Sequence, residues 1–265
     1  MSSAALSVRD LTVTLHAGHR LNAVVDGVSF DLLGGEVLAL VGESGCGKTK
    51  TAEALMGLVP PRLGSVRARR LSLGERDLLA LTEPALRRVR GREISMVFQE
   101  PLTALDPVFR AGEQIARVYQ RHRGMGRRQA RSAAAGMLQR VGFADAELAL
   151  RSYPHELSGG MRQRVVLAMA MACQPRVLIA DEPTTALDVT TQAQVLAQLT
   201  GLAQASGTSI LLITHDLGIV AQYCDRALVM RRGQIVEEAP VGRLFASPAH
   251  PYTAELLAAA RGEAA

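Results

Sequence analysis

A chain of 265 residues, 48% of them hydrophobic, is long enough to bury a sizeable core and too apolar to be disordered. Only 3% are aromatic and tryptophan is absent, so the stacking platforms that hold single-stranded nucleic acid are scarce. The formal net charge is +5, and the three cysteines (Cys46, Cys173, Cys224) show neither zinc-ligand spacing nor the even number of a disulfide framework.

The first ten residues, MSSAALSVRD, lack a charged start followed by an apolar run and do not read as a signal peptide. Residues 6–32 ("LSVRDLTVTL", "AVVDGVSFDL") alternate apolar and polar, which predicts antiparallel strands with one exposed face. "EVLALVG" (36–42) reads as a buried strand, followed by a helix from about Lys48 to Gly57. Four more short apolar runs follow: "ISMVF" (94–98), "VLIAD" (177–181), "SILLIT" (209–214) and "RALVM" (226–230). Continuous Val/Ile/Leu runs separated by helices imply a parallel sheet covered on both faces.

Residues 111–173 hold no clear strand and predict an inserted helical subdomain, and residues 241–265 predict a short helical tail. The longest apolar stretch, "VVLAMAMAC" (165–173), is too short to span a bilayer, so a membrane role would come through a partner. Between Arg110 and Arg140 stand eight arginines and one acidic residue, Glu113. Such a segment is either a solvated helical face or a surface turned toward anionic lipid or a bound nucleotide.

"GESGCGKT" comprises Gly42, Glu43, Ser44, Gly45, Cys46, Gly47, Lys48 and Thr49, and matches G-x-x-x-x-G-K-[ST] between a strand and a helix. Glycines turn backbone N–H groups toward phosphate oxygens, and the helix N-terminus favours the anion. Lys48 is set to reach the β- and γ-phosphates and the Thr49 hydroxyl to hold Mg²⁺. Of 30 basic residues only Lys48 and Lys50 are lysines, so Lys48 serves where a compact ammonium is needed. Cys46, beside Lys48 at a helix N-terminus, is expected to favour the thiolate.

The strand "VLIAD" delivers Asp181 at its carboxyl end as a second metal ligand, with Glu182 next to it as the base for an attacking water. Gln99 and His215 follow two other strands in the same manner and are placed beside the phosphates. "LSGGMRQR" (157–164) opens a second helix with Ser158, Gly159 and Gly160. Ser158 is a good N-cap, and a hydroxyl with helix N-terminal N–H groups also suits a phosphate.

In order along the chain, "GESGCGKT", "VFQEPLTALDP", "LSGGMRQR", "VLIADEPTTALD" and "ITHD" resemble the ATPase subunits of ATP-binding-cassette (ABC) transporters, and the resemblance covers nearly the whole chain. "FQEPLTALDP", the Met of "LSGGMRQR" and "HPYTAELL" near the end are similar to the oligopeptide, dipeptide and nickel importer group.

The resemblance implies an α/β P-loop NTPase fold: a RecA-like parallel core with an antiparallel N-terminal part and an inserted helical subdomain. It implies one ATP-binding domain over 1–265, with the core at about 1–98 and 174–240, the helical subdomain at about 99–173, and the tail at 241–265. ATP and Mg²⁺ are the implied cofactors, with Thr49, Gln99 and Asp181 at the metal and Glu182, His215 and Gln99 in catalysis. Ser158, Gly159, Gly160 and Asp188 would contact the ATP held by a second, identical or related subunit.

The other implied partners are two permeases and an external binding protein, without nucleic acid, at the cytoplasmic face of the membrane. The implied cargo is peptides, nickel or metal–chelator complexes. Where family members carry an aromatic residue against adenine, this chain has Leu15 and His16, with His19 nearby, so base stacking falls to His16 or to none. No C-terminal iron–sulfur cysteine cluster is expected, since Cys224 is the last cysteine.

Other readings are a non-transport ABC ATPase, a small-molecule P-loop kinase, or a nucleotide-gated module without turnover. The repair type needs a coiled-coil insertion or zinc cysteines, and the translation type needs two cassettes. A kinase has no use for "LSGG", and Glu182 argues against a module without turnover.

Overall fold

The structure, a computed structural model, describes residues 3–17, 20–99, 104–185 and 187–260. The chain forms two compact units, Met1–Leu86 with Ser209–Ala265, and Arg87–Thr208.

The first unit opens with an antiparallel ribbon, β1 (Ala4–Ala17) and β2 (Arg20–Leu33). In β1 the buried residues are Leu6, Val8, Leu11 and Val13. The three-residue step from Val8 to Leu11 would turn Leu11 outward in a regular strand. A register shift falls at that step, with Asp10 at φ 52, so the bulge returns Leu11 to the core. The fully buried β3 (Val37–Val41) follows, then α1 (Lys48–Leu55). Three short strands come next, β4 (Gly64–Arg67), β5 (Arg70–Leu73) and β6 (Arg76–Asp77), with β4 and β5 both pairing β1. Helix α2 (Glu83–Val89) ends this stretch.

The second unit holds the parallel pair β7 (Ile94–Val97) and β8 (Val177–Asp181), both fully buried. The segment between them is helical, as the sequence predicts: α3 (Ala111–Arg123), α4 (Arg127–Arg140), α5 (Ala146–Arg151) and α6 (Gly159–Met171). After β8 comes α7 (Val189–Ser206). Side chains cap three of these helices, Asp145 on α5, Ser158 on α6 and Asp188 on α7, each accepting from a first-turn N–H. Gly124 and Gly207 end α3 and α7 in the left-handed conformation.

The chain then returns to the first unit with β9 (Ser209–Ile213), α8 (Leu217–Tyr223), β10 (Arg226–Arg231), β11 (Gln234–Pro240), α9 (Val241–Ala246) and α10 (Pro251–Ala260). Here the strand order is β11-β10-β3-β9; β10, β3 and β9 are parallel and β11 is antiparallel. One face of this sheet packs Val41, Ala227 and Val229 against Val220, Leu244, Tyr252 and Leu257, so the tail helices belong to the core. The mixed parallel and antiparallel α/β architecture agrees with the sequence expectation.

Candidate functional site

In the first unit, the loop between β3 and α1 runs through Gly42, Gly45 and Gly47 at φ 153, 80 and 114, a region that favours glycine. Space excludes side chains as well. A Cβ on Gly42 would lie 2.2 Å from the Met230 carbonyl oxygen, and one on Gly47 would lie 2.5 Å from that of Val24. The buried Lys48 folds its ammonium back over the loop, donating to the carbonyls of Gly42 (2.7 Å) and Glu43 (2.9 Å). No side chain caps the N-terminus of α1, which leaves that end to the loop, and Thr49 is exposed there.

The expectation for Cys46 is overturned. The residue is 8% exposed, and burial pushes its thiol up; the nearby Lys48 charge works against this and loses. Its Sγ lies 3.9 Å from Lys48 Nζ. Proximity to a cation does not yield a thiolate where the sulfur has lost its water.

One contact of the loop was not foreseen. The Glu43 N–H donates to the Tyr252 hydroxyl at 3.2 Å, and the Arg231 guanidinium lies 4.6 Å from the centre of the same ring. Tyr252 belongs to "HPYTAELL", and nothing in its spacing announces a partner 209 residues away.

His215 emerges at the same end of the sheet as the loop. Leu40 of β3 stands opposite Ile213 of β9, and Gly42 and His215 each follow two residues later. His215 is exposed, and Asp216 next to it caps α8 by accepting from Gly218 (2.7 Å) and Ile219 (3.2 Å).

In the second unit the same arrangement recurs. Val97 of β7 stands opposite Ala180 of β8, which brings Gln99 and Glu182 out together. Gln99 Nε2 donates to Glu182 Oε2 at 3.2 Å, and Thr185 Oγ1 donates to the same oxygen at 2.9 Å. Glu182 is held at φ 46, a left-handed conformation that costs a non-glycine residue about 1–3 kcal/mol and collects at functional sites. Asp181, one residue earlier, is 2% exposed.

Ser158 is exposed and accepts from the Met161 N–H at 3.3 Å. A Cβ on Gly160 would lie 2.5 Å from Thr191 Cγ2, and Thr191 Oγ1 donates to Asp188 at 2.6 Å. The Thr191 hydroxyl and N–H hold the Asp188 carboxyl below the usual range. Ser158, Gly160 and Asp188 are thereby gathered at the adjoining starts of α6 and α7, with Thr191 as an unforeseen link. His16 is exposed in β1. His19, Ala186 and residues 100–103, which include part of "VFQEPLTALDP", lie outside the described residues.

In the first unit, an ammonium, backbone N–H groups at a helix start and a hydroxyl suit phosphate oxygens. In the second, an amide and a buried carboxylate are oxygen donors of the kind a hard cation takes. Among the described residues no cluster of three or more His, Cys, Asp or Glu forms a metal cage.

A strand–glycine loop–helix with an inward lysine, together with an acidic pair at the end of a parallel strand, defines a P-loop nucleotide hydrolase. Residues 25–185 match the profile of the ABC transporter family. The chain is 50% identical over 233 residues to the oligopeptide transport ATP-binding protein AppD of Bacillus subtilis, covering 88% of this chain and 71% of that protein. It is 50% identical over 254 residues to the peptidoglycan transport ATP-binding protein YejF of Agrobacterium fabrum, covering 96% of this chain and 46% of that protein. It is 46% identical over 252 residues to the dipeptide transport ATP-binding protein DppD of Bacillus subtilis, covering 95% and 75%. Among solved structures, the dimeric post-hydrolysis state of the ATP-binding cassette MJ0796 bound to ADP and Pi superposes with TM-score 0.76 at 26% identity, covering 89% of this chain and 98% of that one. The chain belongs to the ABC transporter family, as an ATP-hydrolysing cassette.

Proposed function

We propose that this cassette powers a peptide importer. Two cassettes would close on two ATP molecules and drive a pair of permeases supplied by an external binding protein, at the cytoplasmic face of the membrane and without nucleic acid. Relatives named for oligopeptide and dipeptide transport support the cargo class. Among the described residues no helix is long and apolar enough to cross a membrane, which fits a subunit that acts through membrane partners.

Lys48, Ser44 and the N–H groups of residues 42–49 would bind the phosphates, and Thr49, Asp181 and Gln99 would hold Mg²⁺, which neutralises charge on the β- and γ-phosphates when bound. Glu182 orients the attacking water and accepts its proton, with Gln99 and Thr185 fixing the carboxylate; His215 stands beside the departing γ-phosphate. Ser158, Gly159, Gly160 and Asp188 are offered to the ATP of the partner cassette. The domain assignment is one cassette in which the helical segment about 99–173 carries the signature.

The observation that carries the reading is Glu182, strained and held by two donors next to a buried Asp181. Glu182→Gln is expected to retain ATP binding, to lower turnover by about 10²–10⁴-fold, and to accumulate an ATP-bound dimer visible by size-exclusion chromatography. Turnover within a factor of three of the parent removes Glu182 from the chemistry.

A further inference from the structure

The arginine-rich helices are not absorbed by the ATPase reading. In the second unit, α3, α4 and α5 enclose a cavity of about 400 Å³ lined by Arg110, Arg117, Arg127, Arg131 and Arg151, with Glu113 the one acidic residue of the lining. Cavities of this size hold small molecules. Gly112 makes the floor possible, because a Cβ there would lie 2.7 Å from the Leu150 carbonyl oxygen; glycine lets α3 and α5 approach beneath the arginines.

The charges are not cancelled. Glu147 lies 3.2 Å from Arg131 and 3.9 Å from Arg151, and among the described residues Arg110, Arg117 and Arg127 have no ion-pair partner. Counting Glu113 and Glu147, three positive charges remain in surplus. Arg117 lies over the Phe109 ring at 3.6 Å and Arg110 over Tyr153 at 5.5 Å. Stacking engages the face of a guanidinium and leaves the N–H donors on its edge for an anion.

Helix α4 adds an independent sign. Its first two turns bring Arg127 and Arg131 to the cavity; the first turn has no acidic residue and starts at Gly126 without a side-chain cap. Cations at the positive end of a helix dipole are unfavourable, and an anion there reverses the sign of the interaction. Because the chain writes nearly every cation as arginine, the residue type says little. The concavity, the surplus and the uncapped helix end carry the inference.

We propose that this cavity is an anion site for a phosphate or phosphodiester group, distinct from the glycine loop, filled either by a soluble oligophosphate or by the headgroup of an anionic phospholipid. The full-length protein, with its glycine loop saturated by a non-hydrolysable ATP analogue, is titrated with inorganic pyrophosphate by calorimetry. In parallel it is sedimented with vesicles of phosphatidylglycerol or of phosphatidylcholine. The comparison protein is Arg117→Gln/Arg127→Gln, both exposed positions, with Arg67→Gln/Arg243→Gln, two exposed arginines of the first unit on β4 and α9, as a charge-matched control.

Pyrophosphate binding that weakens at least tenfold in the double variant, and not in the control, identifies a soluble ligand. Sedimentation with phosphatidylglycerol alone that falls at least tenfold in the double variant identifies the headgroup. Equal behaviour of parent, double variant and control in both arms overturns the site. So does a vesicle effect equally large in the control, which would reduce the arginines to general surface charge. Circular dichroism and analogue binding show whether the double variant is folded.

Discussion

Lys48, Cys46 and Tyr252 show how neighbours decide what a residue can do. Lys48 is buried in a loop whose carbonyls it bridges, so the loop backbone itself fixes where the ammonium lies. Cys46 sits by the same ammonium, yet desolvation decides its protonation. Tyr252 ties the loop to the tail helix through a single hydrogen bond. Tyr252→Phe keeps the ring under Arg231 and removes the hydroxyl alone. A net hydrogen bond is worth about 1 kcal/mol, so the apparent affinity for ATP is expected to fall about fivefold with kcat nearly unchanged. Steady-state ATPase kinetics separate the two parameters, and an unaltered KM means the contact does not position the loop.

At the scale of elements, Glu237 on β11 holds the entry to α10. Its carboxylate accepts from the N–H groups of Ala249 (2.8 Å) and His250 (2.9 Å). Burial works to raise its pKa, but these donors prevail and hold it below the ordinary range. A lowered folded-state value means stability that is present above the ordinary carboxylate pKa and lost as pH falls through the lower one. Glu237→Gln is expected to cost about 1.5–3 kcal/mol at neutral pH. Its gap from the parent should close as the pH is brought below about 4. Thermal melts across that range check both sign and window; a gap independent of pH assigns the loss to packing rather than charge.

The same strand shows where sequence reading stops. Buried parallel strands such as β3, β8 and β9 are unbroken apolar runs, and they were legible to within a residue or so at each end. β11 carries two adjacent glutamates and ends in proline, a composition poor in strand formers, and its place comes from pairing with β10. β4, β5 and β6 are short and arginine-rich, so their ladders with β1 and each other, rather than any periodicity, make them strands. The glycine loop, Asp181–Glu182, Ser158 and the two strand-end residues Gln99 and His215 were legible because each follows a strand or opens a helix. Tyr252, Thr185 and Thr191 were not, because hydrogen-bond partners leave no pattern in spacing.

On the scale of the whole molecule, the candidate groups fall into two sets. The glycine loop and His215 belong to the first unit, and Gln99, Asp181, Glu182 and the Ser158 turn belong to the second. Solved relatives of the same fold include a dimeric cassette bound to ADP and Pi. If Ser158 serves a partner's nucleotide, defects in Lys48 and Ser158 must complement between chains. Suppose the active form is a homodimer. Lys48→Ala removes a chain's own phosphate grip, and Ser158→Arg blocks what it offers its neighbour; each variant alone is expected to be nearly inactive. When equal amounts exchange subunits at random, about half the dimers contain one of each. In those, one site joins an intact Lys48 to an intact Ser158 from the opposite chain, while the other site carries both defects, so partial ATPase activity returns. If both residues act on the same chain's nucleotide, every site in the mixture carries one defect and nothing returns. For a heterodimeric transporter the two substitutions are divided between the two cassettes with the same logic. Absence of recovery, after subunit exchange has been verified by energy transfer between labelled chains, rules out a role for Ser158 at the partner's nucleotide.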